Sequence, residues 1–282
     1  NLGMFSATIS REVMDISWVY QREPVEITVP ADQENKPDIA QYRLDVDRRE
    51  KADTMARLLE MGGYERVIAF CNTKNMTDRL SGLLRMRNIS CEAIHGDIQQ
   101  RVREKTLQKF REGKLRVLAA TDVAARGLDI DDVDAVFNYD VPDENEYYIH
   151  RIGRTGRAGN QGTAITFISG AELRRFNWMM RDIKADIKRE TLPSPQDIVA
   201  MKRAKIKDDL QEIVANESYG DYADITAELL ESYAPDVALG ALLRLAFRSE
   251  LDQSNYPEIR SFSVDRKGKA RLFLALGGRD GY

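Results

Sequence analysis

The sequence has little of what fixes small proteins by covalent or metal chemistry: two cysteines and two histidines in 282 residues. Cys71 and Cys91 each sit inside an apolar, strand-like run, which argues against a disulfide framework or a zinc cluster and for a pair of core thiols. No stretch approaches the roughly 18 consecutive apolar residues of a membrane span, and the first residues lack the basic, apolar and small-residue succession of a signal peptide. A soluble, cytoplasmic protein without a membrane partner is expected. Positive charge is also short, since 42 lysines and arginines against 46 acidic residues leave a formal net charge of −4. A polyanion would therefore have to be met by local basic patches rather than by bulk charge.

What is present is a rhythm. Asn1 to Phe5 is an apolar run without a start signal, which reads as cut from something longer. Residues 9 to 20 carry Val13, Ile16, Val19 and Tyr20 at helical spacing, Val25 to Val29 reads as a short strand, and a polar stretch with Pro30 and Pro37 suits a linker. From Tyr42 onward strands and helices alternate. A helix from Arg48 stops at Gly62-Gly63; strands at 67–71, 91–95, 115–121, 135–139 and 163–168 are separated by helices bearing Met76, Leu80, Leu83 and Leu84, then Val102, Leu107 and Phe110; a last helix runs from Ala171 to about Lys188. This alternation predicts an α/β fold with a mainly parallel sheet and helices on both faces, in which ligands bind beyond the carboxyl ends of strands.

Past Leu192 the strand signal disappears. Ser194-Pro195 is a good cap and first turn for a helix carrying Val199, Ile206, Leu210, Ile213 and Val214, and two more helices follow. Some 65 residues is about the size at which a single core becomes marginal, so a partner surface such as a second copy is expected to cover the surplus apolar faces. The stretch Ala270 to Gly278 reads as the opening strand and turn of a further domain.

Four segments carry chemistry, three of them following strands. In His150-Arg151-Ile152-Gly153-Arg154-Thr155-Gly156-Arg157 three arginines recur every third residue, which on a helical turn confines them to about a 120° arc. Guanidinium forks match phosphate oxygens, although a solvated basic helix offers the same spacing. Thr121 to Asp129 leaves a strand with a hydroxyl at Thr121, a close-approach glycine at Gly127 and a carboxylate at Asp129. His95-Gly96-Asp97 precedes a helix opening with Gln100, Arg101 and Arg103, where amides and charge favour an anion. Ser6-Ala7-Thr8 offers two hydroxyls between a strand and a helix, the pattern of an N-cap.

In order and spacing these four pieces resemble the C-terminal half of a DEAD-box RNA helicase. The resemblance covers about residues 1 to 190 and implies a RecA-like fold. It places the end of a first domain at 1–28, a linker at 29–37 and a complete second domain at 38–192. It implies that Arg154 and Arg157 face the γ-phosphate of ATP, that Gly127 and Asp129 belong to the nucleotide site with Asp129 on the ribose, and that His150 couples the two domains. Ser6 and Thr8 would link hydrolysis to strand separation, while Gly96, Gln100, Arg103 and Thr121 would hold RNA by its sugar-phosphate backbone. The all-helical stretch 193–258 is similar to the dimerisation module of some bacterial members, implying a homodimer through 194–258, and 259–282 looks like the start of their RNA-binding domain.

One departure matters. Neither a Gly-x-x-x-x-Gly-Lys-Ser/Thr phosphate loop nor an Asp-Glu-Ala-Asp stretch occurs in the 282 residues. The triphosphate cradle and the carboxylates for Mg²⁺ would then lie on a first domain outside this chain, which alone would not hydrolyse ATP. A DNA-directed helicase of the same superfamily, or a non-enzymatic RNA-binding and dimerising scaffold, stays open as an alternative.

Overall fold

The computed structural model describes residues 4, 11–23, 25–27, 38–126, 130, 132–157 and 160–261. Ser6, Thr8, Gly127, Asp129, residues 28–37 and the expected strand at 270–278 lie outside the described residues. Helix α1 spans Arg11–Tyr20. Residues 25–27, expected to begin a strand, are not in one.

The body is a three-layer sandwich built on seven strands: β1 (Ile39–Asp45), β2 (Val67–Phe70), β3 (Cys91–Ile94), β4 (Val117–Ala120), β5 (Ala135–Asn138), β6 (Gly162–Ile168) and β7 (Lys188–Glu190). Their order is β3-β4-β2-β5-β6-β1-β7, and every pairing is parallel. The sequence pattern had room for antiparallel members; the sheet has none. β7 was also absent from the expectation, because its three exposed residues, Lys188-Arg189-Glu190, carry no apolar signal and fall where a longer helix was read. That helix ends at Ile183, with Lys184 in the left-handed region.

A parallel strand covered on both faces has to be apolar at every position, and β2 (Val-Ile-Ala-Phe) and β4 (Val-Leu-Ala-Ala) are buried throughout. Alternate residues serve opposite layers. Val67, Ala69, Val117, Ala119, Phe137 and Phe167 face helices α2 (Lys51–Gly62) and α3 (Lys74–Arg85). Ile68, Phe70, Leu118 and Val136 face α4 (Gln100–Arg111) and α5 (Asp122–Ala125), and Ala164 and Ile168 face α6 (Asn145–Ile152) and α7 (Leu173–Ile183). Cys71 and Cys91 are free and buried, as core thiols should be; burial raises both, Cys91 to about 12. Val102, expected on the buried face of α4, is half exposed; Thr106, Leu107 and Phe110 form that face instead.

Three helices follow the sheet: α8 (Pro195–Ala215), α9 (Ala223–Ser232) and α10 (Pro235–Leu251). Ser194 and Asp197 make a reciprocal capping box with Pro195 in the first turn, as the Ser-Pro pair predicts. In these helices only Ile198 and Val199 are buried. Tyr222, Val237, Leu242 and Leu245 are among the large apolar residues left exposed, Leu245 to 83%. The chain then returns to the sheet domain. Arg57 donates to the carbonyl of Pro257, the Asp47 amide donates to the Arg260 carbonyl at 3.0 Å, and Ile259 packs on the core around α2. Among the described residues no helix is long and apolar enough to cross a membrane.

Candidate functional site

The carboxyl ends of β3 and β4 gather four of the residues singled out by sequence. Gly96 follows β3 in an open position where an added Cβ would meet nothing within 4 Å. Thr121 follows β4 and is half-buried; its amide donates to the carbonyl of Ile94 at 3.2 Å, and its hydroxyl makes no capping bond to α5. Gln100 is exposed in the first turn of α4, where it donates to Glu104 at 2.9 Å. Arg103 reaches across to the carbonyl of Ala124, in α5, at 2.5 Å. It thereby ties α4 to the loop that begins at Thr121. Gly96, Gln100, Arg103 and Thr121 thus share one rim, offering amides, a hydroxyl and one cationic group of the kind that bind a sugar-phosphate backbone. Beside it Lys74 pairs with Asp97 at 2.6 Å, which lowers the Asp97 carboxyl.

The arginine segment is arranged differently from the expected helical arc. Helix α6 stops at Ile152, so Arg151 lies in its last turn while Arg154 and Arg157 lie in the turns beyond. Gly153 ends the helix, its amide closing onto Ile149 at 3.0 Å, and Gly156 adopts a left-handed φ of 69° in the turn beyond. The segment therefore does not stand above the strand ends. It descends along the sheet face, since Arg154 accepts from the amide of Val133 just before β5 at 3.2 Å and Gly156 abuts Asp38 and Ile39 at the start of β1.

The three arginines consequently separate by environment. Arg157 is exposed, with its Nε on the Gly153 carbonyl at 2.7 Å, and Arg154 is half-buried. Arg151 is 1% exposed and faces inward. Its Nε and Nη2 grip both oxygens of Asp122 at 2.7 Å, Nη2 also donates to Asn72 at 2.8 Å, and Nη1 donates to the Asp140 carbonyl at 2.8 Å. The guanidinium also lies over the Phe70 ring, 5.2 Å from its centroid. Four donated hydrogen bonds and a ring face leave this group no room for a ligand. His150, half-buried on the same turn, meets Glu146 at 3.2 Å.

Next to Arg151 lies a second buried cation. Lys51, 2% exposed, donates to the carbonyl of Tyr139 at 2.8 Å and to Glu172 at 2.7 Å, and lies 4.0 Å from Asp140. Burial raises the Asp140 carboxyl above its ordinary value. Burial also opposes ionisation of Glu172, but Lys51 and Ser169 outweigh it and the carboxyl falls below its ordinary value. Asn72, Asp122 and Lys51 escaped sequence reasoning, and Arg151 was noticed without a role, because their partners lie 11 to 121 residues away. The one local signal was the acid at Asp122, directly after Thr121.

Among the described residues no group of three or more histidine, cysteine, aspartate or glutamate side chains could hold a metal ion. Arg154 and Arg157 fit a polyphosphate as cationic forks, not as a cradle.

The family model described as the helicase conserved C-terminal domain matches residues 50–159. The ATP-dependent RNA helicase CshA of Listeria monocytogenes is 40% identical over 279 residues, which is 99% of this chain and 54% of that protein. The E. coli DEAD-box protein SrmB, solved bound to regulator of ribonuclease activity A, is 36% identical with a TM-score of 0.53, over 55% of this chain and 92% of that one. S. cerevisiae Dbp5, solved bound to RNA and ADP BeF3, is 30% identical with a TM-score of 0.60, over 66% of this chain and 50% of that one. The chain spans about half the length of the curated relatives it matches.

Proposed function

The chain belongs to the DEAD-box helicase family, and from that premise we propose that it supplies the finger-bearing half of an ATP-dependent RNA helicase, the other half of the ATP site being carried outside these 282 residues. The observation that carries this reading is the sorting of the arginines. One is buried and fully engaged, whereas Arg157 is exposed and Arg154 half-buried on a backbone stitched to the starts of β1 and β5. A guanidinium held on a rigid element can meet the charge that grows on a transferring phosphoryl group, and such a finger contributes about 10³ to 10⁵ in rate. His150, on the same turn as Arg151, couples the two domains by resemblance.

RNA is taken on the rim of Gly96, Gln100, Arg103 and Thr121. Contacts there address the backbone rather than base edges, so binding is indifferent to sequence while ribose hydroxyls still distinguish RNA from DNA. Asp129 and Gly127 complete the nucleotide site by resemblance, with Asp129 on the ribose; Ser6 and Thr8 link hydrolysis to strand separation on the same ground. Mg²⁺ comes with the absent half, and the chain alone does not hydrolyse ATP. The exposed apolar residues of α8–α10 support a homodimer through residues 194–258.

The test is ATP turnover by the full-length protein with single-stranded RNA or with DNA of the same sequence. Stimulation by RNA alone is expected. Equal stimulation by DNA favours the DNA-directed reading, and no turnover with either favours a scaffold.

A further inference from the structure

Helix α7 breaks its own pattern at one position. Its apolar residues Leu173, Phe176, Met179, Met180 and Ile183 turn to the sheet, Phe176 and Met179 being buried. Opposite them four positions are exposed: Arg174, Trp178, Arg181 and Asp182. Trp178 is 63% exposed. At about 100° per residue, Arg174, Trp178 and Arg181 fall within about 60° of one another, on the side away from Phe176.

A single exposed apolar side chain is ordinary at a protein surface. What sets this indole apart is its company. From Leu173 to Glu190 the chain carries six cations and three carboxylates, against a formal net charge of −4 for the whole. Arg175 is spent on Asp143, and Arg189 on Asp45 at 2.8 Å. Arg174, Lys184 and Lys188 form no ion pair with a described residue. Arg181 donates its Nε to the Asn177 carbonyl of its own helix at 3.3 Å, which does not engage its Nη groups. Asp182, the one acid on the exposed face of the helix, accepts from Asn145. Arg174 lies in the first turn of α7, just past the carboxyl end of β6, on the sheet face that also carries α4 and α5. The rim of Gly96 and Thr121 lies along the same edge, three to four strand spacings away, roughly 15–20 Å.

We propose that Trp178, flanked by Arg174 and Arg181, is a second seat for single-stranded RNA, on which one base stacks while the guanidinium groups meet the phosphates on either side. Every base has a π face, so such a seat tolerates any sequence, as backbone contacts at the rim do. A tryptophan that anchors a protein is surrounded by further contacts that exclude water, whereas the exposed neighbours of Trp178 are charged. A strand long enough to leave the rim reaches the indole; a short one fills the rim alone. This inference rests on the helicase reading above, which supplies the RNA at the rim.

The experiment measures the affinity of the full-length protein for two uridine-rich single strands, of about six and about twenty nucleotides, by fluorescence anisotropy. Trp178→Ala is expected to weaken the long strand about fivefold or more and to leave the short one within about twofold. Trp178→Phe should keep most of the long-strand affinity, because it keeps a ring face. Trp178→Leu should match the alanine variant, because it keeps only apolar bulk. Arg174→Gln with Arg181→Gln should lower the slope of log affinity against log salt by about 1.4 for the long strand. Long-strand affinity unchanged in Trp178→Ala would overturn the proposal. So would a leucine variant equal to the phenylalanine one, which would make the contact apolar and suit a protein instead. Equal weakening of both strands would also overturn it, since the change would then act at the rim. If the unsubstituted protein binds neither strand, the helicase reading itself fails.

Discussion

Replacing Gly156 with alanine probes the geometry of the arginine segment at its tightest point. Gly156 has φ of 69°, and a Cβ there would lie 2.8 Å from Cγ1 of Ile39 and 3.2 Å from the carbonyl oxygen of Asp38. The left-handed conformation costs a non-glycine residue about 1–2 kcal/mol. The Ile39 contact can be relieved by a side-chain shift and the Asp38 contact only by moving backbone, a strain of roughly 1–2 kcal/mol more. The sum is about 3 kcal/mol, which for a domain of this size lowers the thermal midpoint by roughly 6–12 °C. Gly96→Ala is the control, because its Cβ enters open space and ordinary φ; a change within about 0.5 kcal/mol is expected. Thermal unfolding of the chain followed by circular dichroism makes the comparison. A Gly156→Ala midpoint within about 2 °C of both the parent and the control would refute the packing described for this turn.

Three further outcomes follow from other parts of the molecule. Glu172→Gln should cost about 2 kcal/mol at pH 7, because it removes the charge facing buried Lys51. The folded-state carboxyl lies below its ordinary 4.5, so its contribution is present above that value and lost as pH falls through the folded pKa; the gap to the parent should close in acid, and a gap constant from pH 7 to about pH 3 contradicts this. In light scattering the chain should run as a dimer near twice 32.1 kDa, and Leu242→Asp with Leu245→Asp should halve that mass; a monomeric parent refutes the dimer. Arg57→Ala should release residues 256–261 from α2, seen as faster amide exchange at Arg260 with the sheet amides unchanged, and unaltered exchange at Arg260 would mean that the Pro257 contact holds nothing.

Much of the fold was legible in the sequence because parallel strands buried on both faces leave unmistakable apolar blocks, such as Val67 to Phe70 and Val117 to Ala120. The Ser194 N-cap was legible because its signal is local, while its reciprocal bond with Asp197 appears only in the structure. β7 was not, since an exposed edge strand of Lys-Arg-Glu owes its existence to backbone pairing with β1 and not to burial. The arginine spacing marked a segment and gave it the wrong geometry. Periodicity cannot register that the helix ends at Gly153, between the first arginine and the other two. It also cannot rank the three, because what distinguishes Arg151 is a set of acceptors from β2, β5 and α5 that only the fold brings together.

The central claim is that Arg157 acts on a nucleotide held by another domain. The measurement that tests it most directly is RNA-stimulated ATP turnover by the full-length protein carrying Arg157→Ala, with its oligomeric mass and thermal midpoint recorded alongside. Turnover about 10³-fold or more below the parent, with mass and midpoint unchanged, is the predicted result. Turnover within about threefold of the parent would contradict the finger assignment, because a guanidinium on a transferring phosphoryl group cannot be removed so cheaply.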